Sequence, residues 1–216
     1  PYLDGAFTGW LDARMNTYLT NALKIPAMTG SLIPEPVFCE SEYRERILEP
    51  IYRQTAPLDP QGILRDEWAN ARGAIARFDR GAIEIRVTDS QECLLADLAI
   101  AQAIGILTRQ LAEERHAPLA KLRQLDTRRL RGIFLAAARD AERTMLHDRD
   151  FASVFGATTP CSLGDIWRKM LRMSDFRQSE LLSPFYDHYI AQGSLASRTL
   201  ARAGRNPTRR ALHDNL

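Results

Sequence analysis

Residues 82–88, Ala-Ile-Glu-Ile-Arg-Val-Thr, alternate apolar and polar side chains almost one for one. A period of two belongs to a β-strand, because successive side chains leave a strand on opposite faces. Ile83, Ile85 and Val87 share one face, and Glu84, Arg86 and Thr88 share the other. Glu84 and Arg86 therefore project side by side, roughly 7 Å apart at Cα. A partner strand is expected near residues 72–77. From the pattern alone, such a strand is also the ordinary surface strand of a soluble protein, with its charged face simply wet.

The rest of the chain reads as mostly helix. Residues 1–9 are loop-like, with turns at Asp4-Gly5 and Thr8-Gly9, and Thr8–Ala22 has helical spacing. Pro26, Gly30, Pro34 and Pro36 make 23–40 irregular. Ser41 is a candidate cap for a helix to about Tyr52, kinked or ended by Pro50. Residues 54–65 form a Pro/Gly-bearing loop. Leu98, Ala101, Ile104, Leu107 and Leu111 mark a helix over Leu94–Glu114. Asp126 or Thr127 caps a helix expected to run to about His147, along Leu130, Phe134, Ala138, Ala141 and Met145. Ser162 with Asp165 resembles a capping box. Ser183-Pro184 opens a helix that Gly193 closes, and Ser194 opens a last one ended by Gly204.

Composition excludes several classes. With 45% apolar and 26% charged residues the chain is globular, and a net charge of +2 gives no sign of a nucleic-acid binder. Apolar runs such as Ile133–Ala138 are too short for a membrane span. Cys39, Cys93 and Cys161 are odd in number and widely spaced, which fits a reducing cytoplasm rather than a disulfide framework. His116, His147, His188 and His213 lack ligand spacing and read as surface or capping residues, His147 at a helix C-terminus. Arg123, Arg128, Arg129 and Arg131 read as a solvated helix face, and Arg205–Arg210 as a basic tail.

The charged residues around the strand have chemistry to offer. A carboxylate and an arginine on one rigid strand, with Arg72, Arg77 and Arg80 close by, can hold a divalent cation and a phosphate together. Arg14 and Glu35 are weaker candidates; Arg14 reads equally as an ion-pair partner of Asp12 or another acid. Thr29-Gly30 could present backbone N–H groups to an anion, or be only a turn.

Several segments together carry a resemblance. They are Asp66-Glu67-Trp68-Ala69-Asn70-Ala71-Arg72, Arg77-Phe78-Asp79-Arg80 and Ile83-Glu84-Ile85-Arg86-Val87-Thr88-Asp89. Upstream stand Asp4-Gly5, Thr8-Gly9-Trp10, Arg14-Met15, Pro26 with Thr29-Gly30, and Ile33-Pro34-Glu35. Near the end comes Gly193-Ser194-Leu195-Ala196-Ser197-Arg198. In this order they resemble the second half of the glutamate–cysteine ligase type 2 family, the carboxylate–amine ligases. The likeness is strong over residues 1–115 and weaker over 116–216.

The resemblance implies an α+β fold: part of a glutamine-synthetase-like antiparallel sheet, followed by a largely helical C-terminal region. Residues 1–115 would be the C-terminal part of the catalytic domain, with 116–216 packed on it. It implies an ATP-dependent ligase joining the glutamate γ-carboxylate to an amine through an acyl phosphate. Cysteine is the amine that the family name implies. Glu84 would be a metal ligand for Mg²⁺ or Mn²⁺, and Arg86 a catalytic clamp on the transferring phosphate. Arg72 and Arg80 would bind phosphate or the substrate carboxylate, and Asn70 would orient Arg72 or touch substrate.

The family's other metal-binding carboxylates lie on N-terminal strands, and no Glu-x-Glu strand occurs here. With Pro1 in place of an initiator Met, the chain is expected to be a C-terminal piece whose missing N-terminal half completes the site. A piece of this kind should turn nothing over alone. Nucleic acid and membrane are not expected partners, and a homo-oligomer is compatible. Two further functions stay open: a helical interaction or regulatory module without catalysis, and a guanidino phosphotransferase of the same superfamily.

Overall fold

A computed structural model describes residues 1–21, 25–205 and 207–208. Ala22, Arg209, Arg210 and His213, which the sequence reading touched, lie outside the described residues. The architecture is mixed α and β and 56% helical. Where a glutamine-synthetase-like sheet was expected, the described residues form three separate two-stranded antiparallel ladders. The chain divides into two compact units: Pro1–Ala13 with Ser90–Leu216, here unit 1, and Arg14–Asp89, here unit 2.

Unit 2 begins with most of α1 (Ala13–Asn21) and the short α2 (Pro26–Thr29), opened by a proline and closed at Gly30. A helical rod follows: α3 (Glu40–Tyr43), a π-helical stretch (Arg44–Leu48) and α4 (Glu49–Thr55). The expected break at Pro50 does not occur. The turn widens just before it, where the Glu49 N–H reaches back five residues to the Arg44 carbonyl. That places a proline, which has no N–H to give, in the first turn of a new α-helical segment where none is required. Cys39, not Ser41, is the residue before the helix. Tyr43, Ile47, Leu48, Ile51 and Ala69 form the apolar core of this unit.

The expected hairpin is present. β3 (Ala74–Arg77) pairs with β4 (Ala82–Ile85), with Ile75 opposite Glu84 and Ala76 opposite Ile83. A 3₁₀ turn at Phe78–Arg80 and the left-handed Gly81 join them. The Arg86 N–H continues the ladder to the Gly73 carbonyl at 2.9 Å. Cross-strand partners share a face, so Glu84 stands beside the buried Ile75. On the other face Ala76 packs on the apolar core, yet Ile83 at the hairpin tip is 62% exposed. Alternation thus sorts the residues by face, while burial does not follow the apolar label.

Unit 1 opens with a small hairpin, β1 (Tyr2–Leu3) and β2 (Ala6–Phe7). Its long helix is α5 (Leu94–Ala112). The buried residues of α5 are Ala96, Ala99, Ala103, Ile106 and Gln110, whereas Leu98 from the expected stripe is 46% exposed. The reason is close approach: the Tyr186 hydroxyl donates to the Ala99 carbonyl at 2.9 Å, and small residues leave room for that ring. This helix, with a mean hydropathy of 1.3, is long and apolar enough by length and composition to cross a membrane. Polar residues interrupt its apolar runs, which is why short-run reading passed over it. Its Ala99, Ala103 and Ile106 nonetheless belong to the core of this unit.

After α6 (Leu119–Leu122), Asp126 caps α7 (Thr127–Asp140). This helix stops at Ala141, which takes a positive φ of 49°, short of the expected end at His147. Met145–Leu146 instead form β5, paired with β6 (Cys161–Ser162). His147 therefore ends no helix; it precedes Asp148, the cap of α8 (Arg149–Val154). His116 is half-buried rather than a surface group: its Nε2 lies 2.8 Å from Gln110 Oε1, and burial lowers its pKa. The capping box at Ser162 and Asp165 makes both reciprocal bonds ahead of α9 (Leu163–Leu171). α10 (Ser183–Gln192) starts one residue earlier than expected, with Leu182 rather than Ser183 before it, and Ser194 caps α11 (Leu195–Ala203).

Candidate active site on the hairpin of unit 2

The charged residues of the hairpin hold one another. Glu84 Oε1 accepts from Arg86 Nε at 2.9 Å, and Oε2 accepts from Arg77 Nη1 at 3.0 Å. Arg77 is buried and forks onto Asp79, with two bonds of 3.2 Å. Burial works to raise the Glu84 carboxyl, but hydrogen bonds and charge from Arg86 and Arg77 outweigh it and hold the group below its ordinary value. Arg77 in turn is raised by Asp79 and Glu84.

Behind them lies a buried carboxyl, Glu67. Burial and a hydrogen bond with Asp79 push it up, even though Arg77 Nε lies 3.6 Å away. The contact with Arg77 would act the other way. It loses because the Arg77 fork is committed to Asp79 and Glu84.

The second part of the site runs through Asn70, which is 0% exposed. Its carbonyl accepts from Arg86 Nη1 at 2.8 Å. Its side-chain oxygen accepts from the Arg72 N–H at 3.2 Å and from Arg72 Nη1 at 3.1 Å. Its amide donates to the Tyr43 hydroxyl at 2.7 Å, which also accepts the Ala76 N–H at 3.1 Å. Arg72, only 4% exposed, donates to both oxygens of Glu35, at 2.5 and 2.6 Å, and to the Ala27 carbonyl at 3.1 Å. Burial raises the Glu35 carboxyl, but its bonds and charge pairing with Arg72 bring it below the usual range.

Gly30 makes this pair possible: a Cβ there would lie 2.8 Å from Arg72 Nη2 and 2.9 Å from Glu35 Oε1. Its N–H bonds the Pro26 carbonyl, so Thr29-Gly30 closes α2 rather than offering that N–H to an anion.

The structure therefore links Glu84, Arg86, Asn70 and Arg72 into one chain of contacts. Arg80 stands apart at the hairpin turn, its side chain 69% exposed, 3.4 Å from Asp79. Arg14 pairs with Asp89 at 3.1 Å rather than with Asp12, and donates to the Val87 carbonyl at 2.9 Å, pinning the end of the strand. The sequence pattern names Arg77 only among the arginines beside the strand and gives no sign of its hold on Glu84 and Asp79, and it misses Tyr43. A signal for Tyr43 exists: it precedes Ile47 and Ile51 at intervals of four on an apolar stripe. A tyrosine on such a stripe must bring a partner for its hydroxyl.

Among the described residues no three His, Cys, Asp or Glu side chains converge to hold a metal ion. Both oxygens of Glu84 already serve guanidinium groups. The residues present do not by themselves fit a divalent cation. What they do form is a rigid arginine cradle: Nε and Nη1 of Arg86 are fixed by Glu84 and Asn70, and Nη2 has no hydrogen-bond partner among the described residues. A fixed guanidinium edge suits a planar carboxylate or a phosphoryl oxygen.

The hairpin thus presents a hydrogen-bonded arginine with one edge of a kind that suits an anion. Residues 1–214 match the glutamate–cysteine ligase family 2, and the chain belongs to that family. It is 36% identical over 105 residues to an uncharacterized protein of Archaeoglobus fulgidus, covering 49% of this chain and 28% of that relative. The matched stretch thus spans little more than a quarter of the relative's length. No solved structure matches the chain.

Proposed function

We propose that the chain serves an ATP-dependent carboxylate–amine ligase that joins the γ-carboxylate of glutamate to an amine, cysteine being the acceptor in the family's description. Membership of the family supports a ligase-type enzyme in general. The observation that carries the finer reading is Arg86, held on two sides with one edge left to a ligand. A carboxylate is a poor electrophile. In the proposed reaction a γ-carboxylate oxygen attacks the terminal phosphorus of ATP and ADP leaves. The amine then attacks the acyl carbon, loses a proton, and phosphate departs. Arg86 would neutralise charge on the transferring phosphoryl group.

Arg80, exposed at the turn, is the proposed contact for the remaining phosphates. Arg72, expected to grip phosphate or carboxylate, has its donors spent on Glu35, Asn70 and Ala27, and we assign it a positioning role with Asn70. Mg²⁺ or Mn²⁺ is the proposed companion of ATP. Because both Glu84 oxygens serve arginines, the ion would take its ligands from the nucleotide and from other carboxylates.

The test is ADP release by the purified protein that carries this chain, with ATP, Mg²⁺, glutamate and cysteine. Turnover requiring both amino acids supports the ligase. Phosphate transfer to creatine or free arginine would replace it with the phosphotransferase. A non-catalytic module is favoured by one observation, the full engagement of Glu84 by Arg77 and Arg86. ATP left intact under every combination would establish that reading.

A further inference from the structure

We infer that unit 1 carries a binding site for a small zwitterion of the free α-amino acid class. It is the pocket between α5 and the 3₁₀ turn at Ser174–Arg177, about 340 Å³ in volume. Gln102, Gly105, Ile106 and Arg109 line it from α5, and Arg115, Asp175 and Gln178 complete the lining. Positions 102, 105, 106 and 109 fall on one helical face. Gly105 leaves that face open, since an added Cβ there would meet nothing within 4 Å.

The hydrogen bonds of the lining residues decide which donors and acceptors remain for a ligand. The Gln102 side-chain oxygen faces the Tyr186 hydroxyl at 2.8 Å and shares that group's single proton with the Ala99 carbonyl, while the Gln102 NH₂ has no partner among the described residues. Arg109 is exposed, and its side chain has no hydrogen-bond or ion-pair partner among the described residues. One wall thus offers a guanidinium and an amide, the donor set that grips a carboxylate.

Opposite stands Asp175. Its Oδ2 accepts from Gln110 Nε2 and from Arg115 Nη1, each at 2.7 Å, while Oδ1 has no partner among the described residues. Gln110 is almost fully buried and is itself held by His116 at 2.8 Å, so the carboxylate is fixed in place. Arg115 is drawn off to Glu113 at 2.7 Å as well. What remains is one free cationic edge and one free carboxylate oxygen. A phosphate would meet Asp175, and a simple amine would meet Arg109. A molecule bearing both a carboxylate and an ammonium satisfies both. The inference does not depend on the ligase reading.

The experiment is calorimetric titration of the full chain with glycine, L-glutamate, acetate and methylamine. Glycine and L-glutamate should bind, with acetate and methylamine at least about tenfold weaker. Arg109→Gln should weaken amino-acid binding at least about tenfold without shifting the melting curve, because the side chain is exposed. Asp175→Asn should abolish the preference for glycine over acetate. Amino acids that fail to bind, acetate that binds as tightly as glycine, or binding that survives Arg109→Gln would each overturn the site. Glutamate binding lost in Arg86→Ala but kept in Arg109→Gln would report the hairpin of unit 2 and count against it too.

Discussion

The two units solve the problem of a stable interior differently. Unit 1 buries an apolar cluster that includes Ile106, Leu146, Ile166, Met170, Phe176 and Tyr186. Unit 2 has a smaller apolar cluster and sets beside it a buried polar chain, Glu67, Asn70, Arg72 and Arg77. Apolar packing is non-directional, so it stabilises without fixing exact partners. A buried ion pair contributes little net stability, because desolvation offsets the attraction, but losing one partner is costly. The second arrangement suits a site, where side chains must point in one direction only.

The largest effect is expected from Phe176→Ala in unit 1, where the side chain is 0% exposed. It should cost about 3–5 kcal/mol, seen as lost hydrogen-exchange protection along α5, α9 and α10. A cost under about 1.5 kcal/mol would show that this core is not the main support of its unit.

Glu35→Ala should cost about 3 kcal/mol in unit 2 by stranding the Arg72 charge. Replacing both partners, Glu35→Leu with Arg72→Met, should recover much of that loss. If the double variant is as unstable as the single one, the pair supplies real stability and the contrast between the units fails.

Arg86→Lys tests function rather than folding. Lysine keeps the charge but loses the fork. Turnover of the intact protein should fall at least about a hundredfold, about 2.7 kcal/mol of transition-state stabilisation. The urea midpoint should hardly move. Near wild-type turnover would make Arg86 an ordinary structural arginine.

Within unit 2 the carboxyls should respond to pH in opposite directions. Glu35 and Glu84 have depressed folded values. Their contribution is therefore present above the ordinary carboxyl value of about 4.3 and is lost as pH falls through the depressed ones. Glu67 is raised, so its contribution is present at low pH and is lost as pH rises through its raised value. Glu67→Gln should then gain stability relative to the parent as pH rises above the ordinary carboxyl value of about 4.3. A difference that stays flat as pH rises would remove Glu67 from the account.

The smallest effects belong to Ile83 and Ile85 of the hairpin. Ile85 is only half-buried, so Ile85→Ala should cost about 1 kcal/mol, below the range for full burial. Ile83→Thr should stay within about 0.5 kcal/mol. A larger loss at Ile83 would mean that this face is covered in solution.

Features whose cause lies within a few residues were legible without the fold. The alternation at residues 82–87, the caps at Asp126, Ser162 and Ser194, and the helix over Leu94–Ala112 all rest on neighbours close in the chain. The ordered motifs likewise sufficed to mark the family. Tertiary structure decided the partners. Arg72 meets Glu35 across 37 residues, Asn70 meets Tyr43 across 27, and Asp175 meets Gln110 across 65. It also decided which side of α5 is buried and where α7 stops, the first through the reach of Tyr186 and the second through the pairing of β5 with β6. Local propensity selects a conformation from adjacent backbone and side-chain terms. A guanidinium or a tyrosine hydroxyl must find its partner wherever the folded chain brings one, and no spacing in the sequence records that distance.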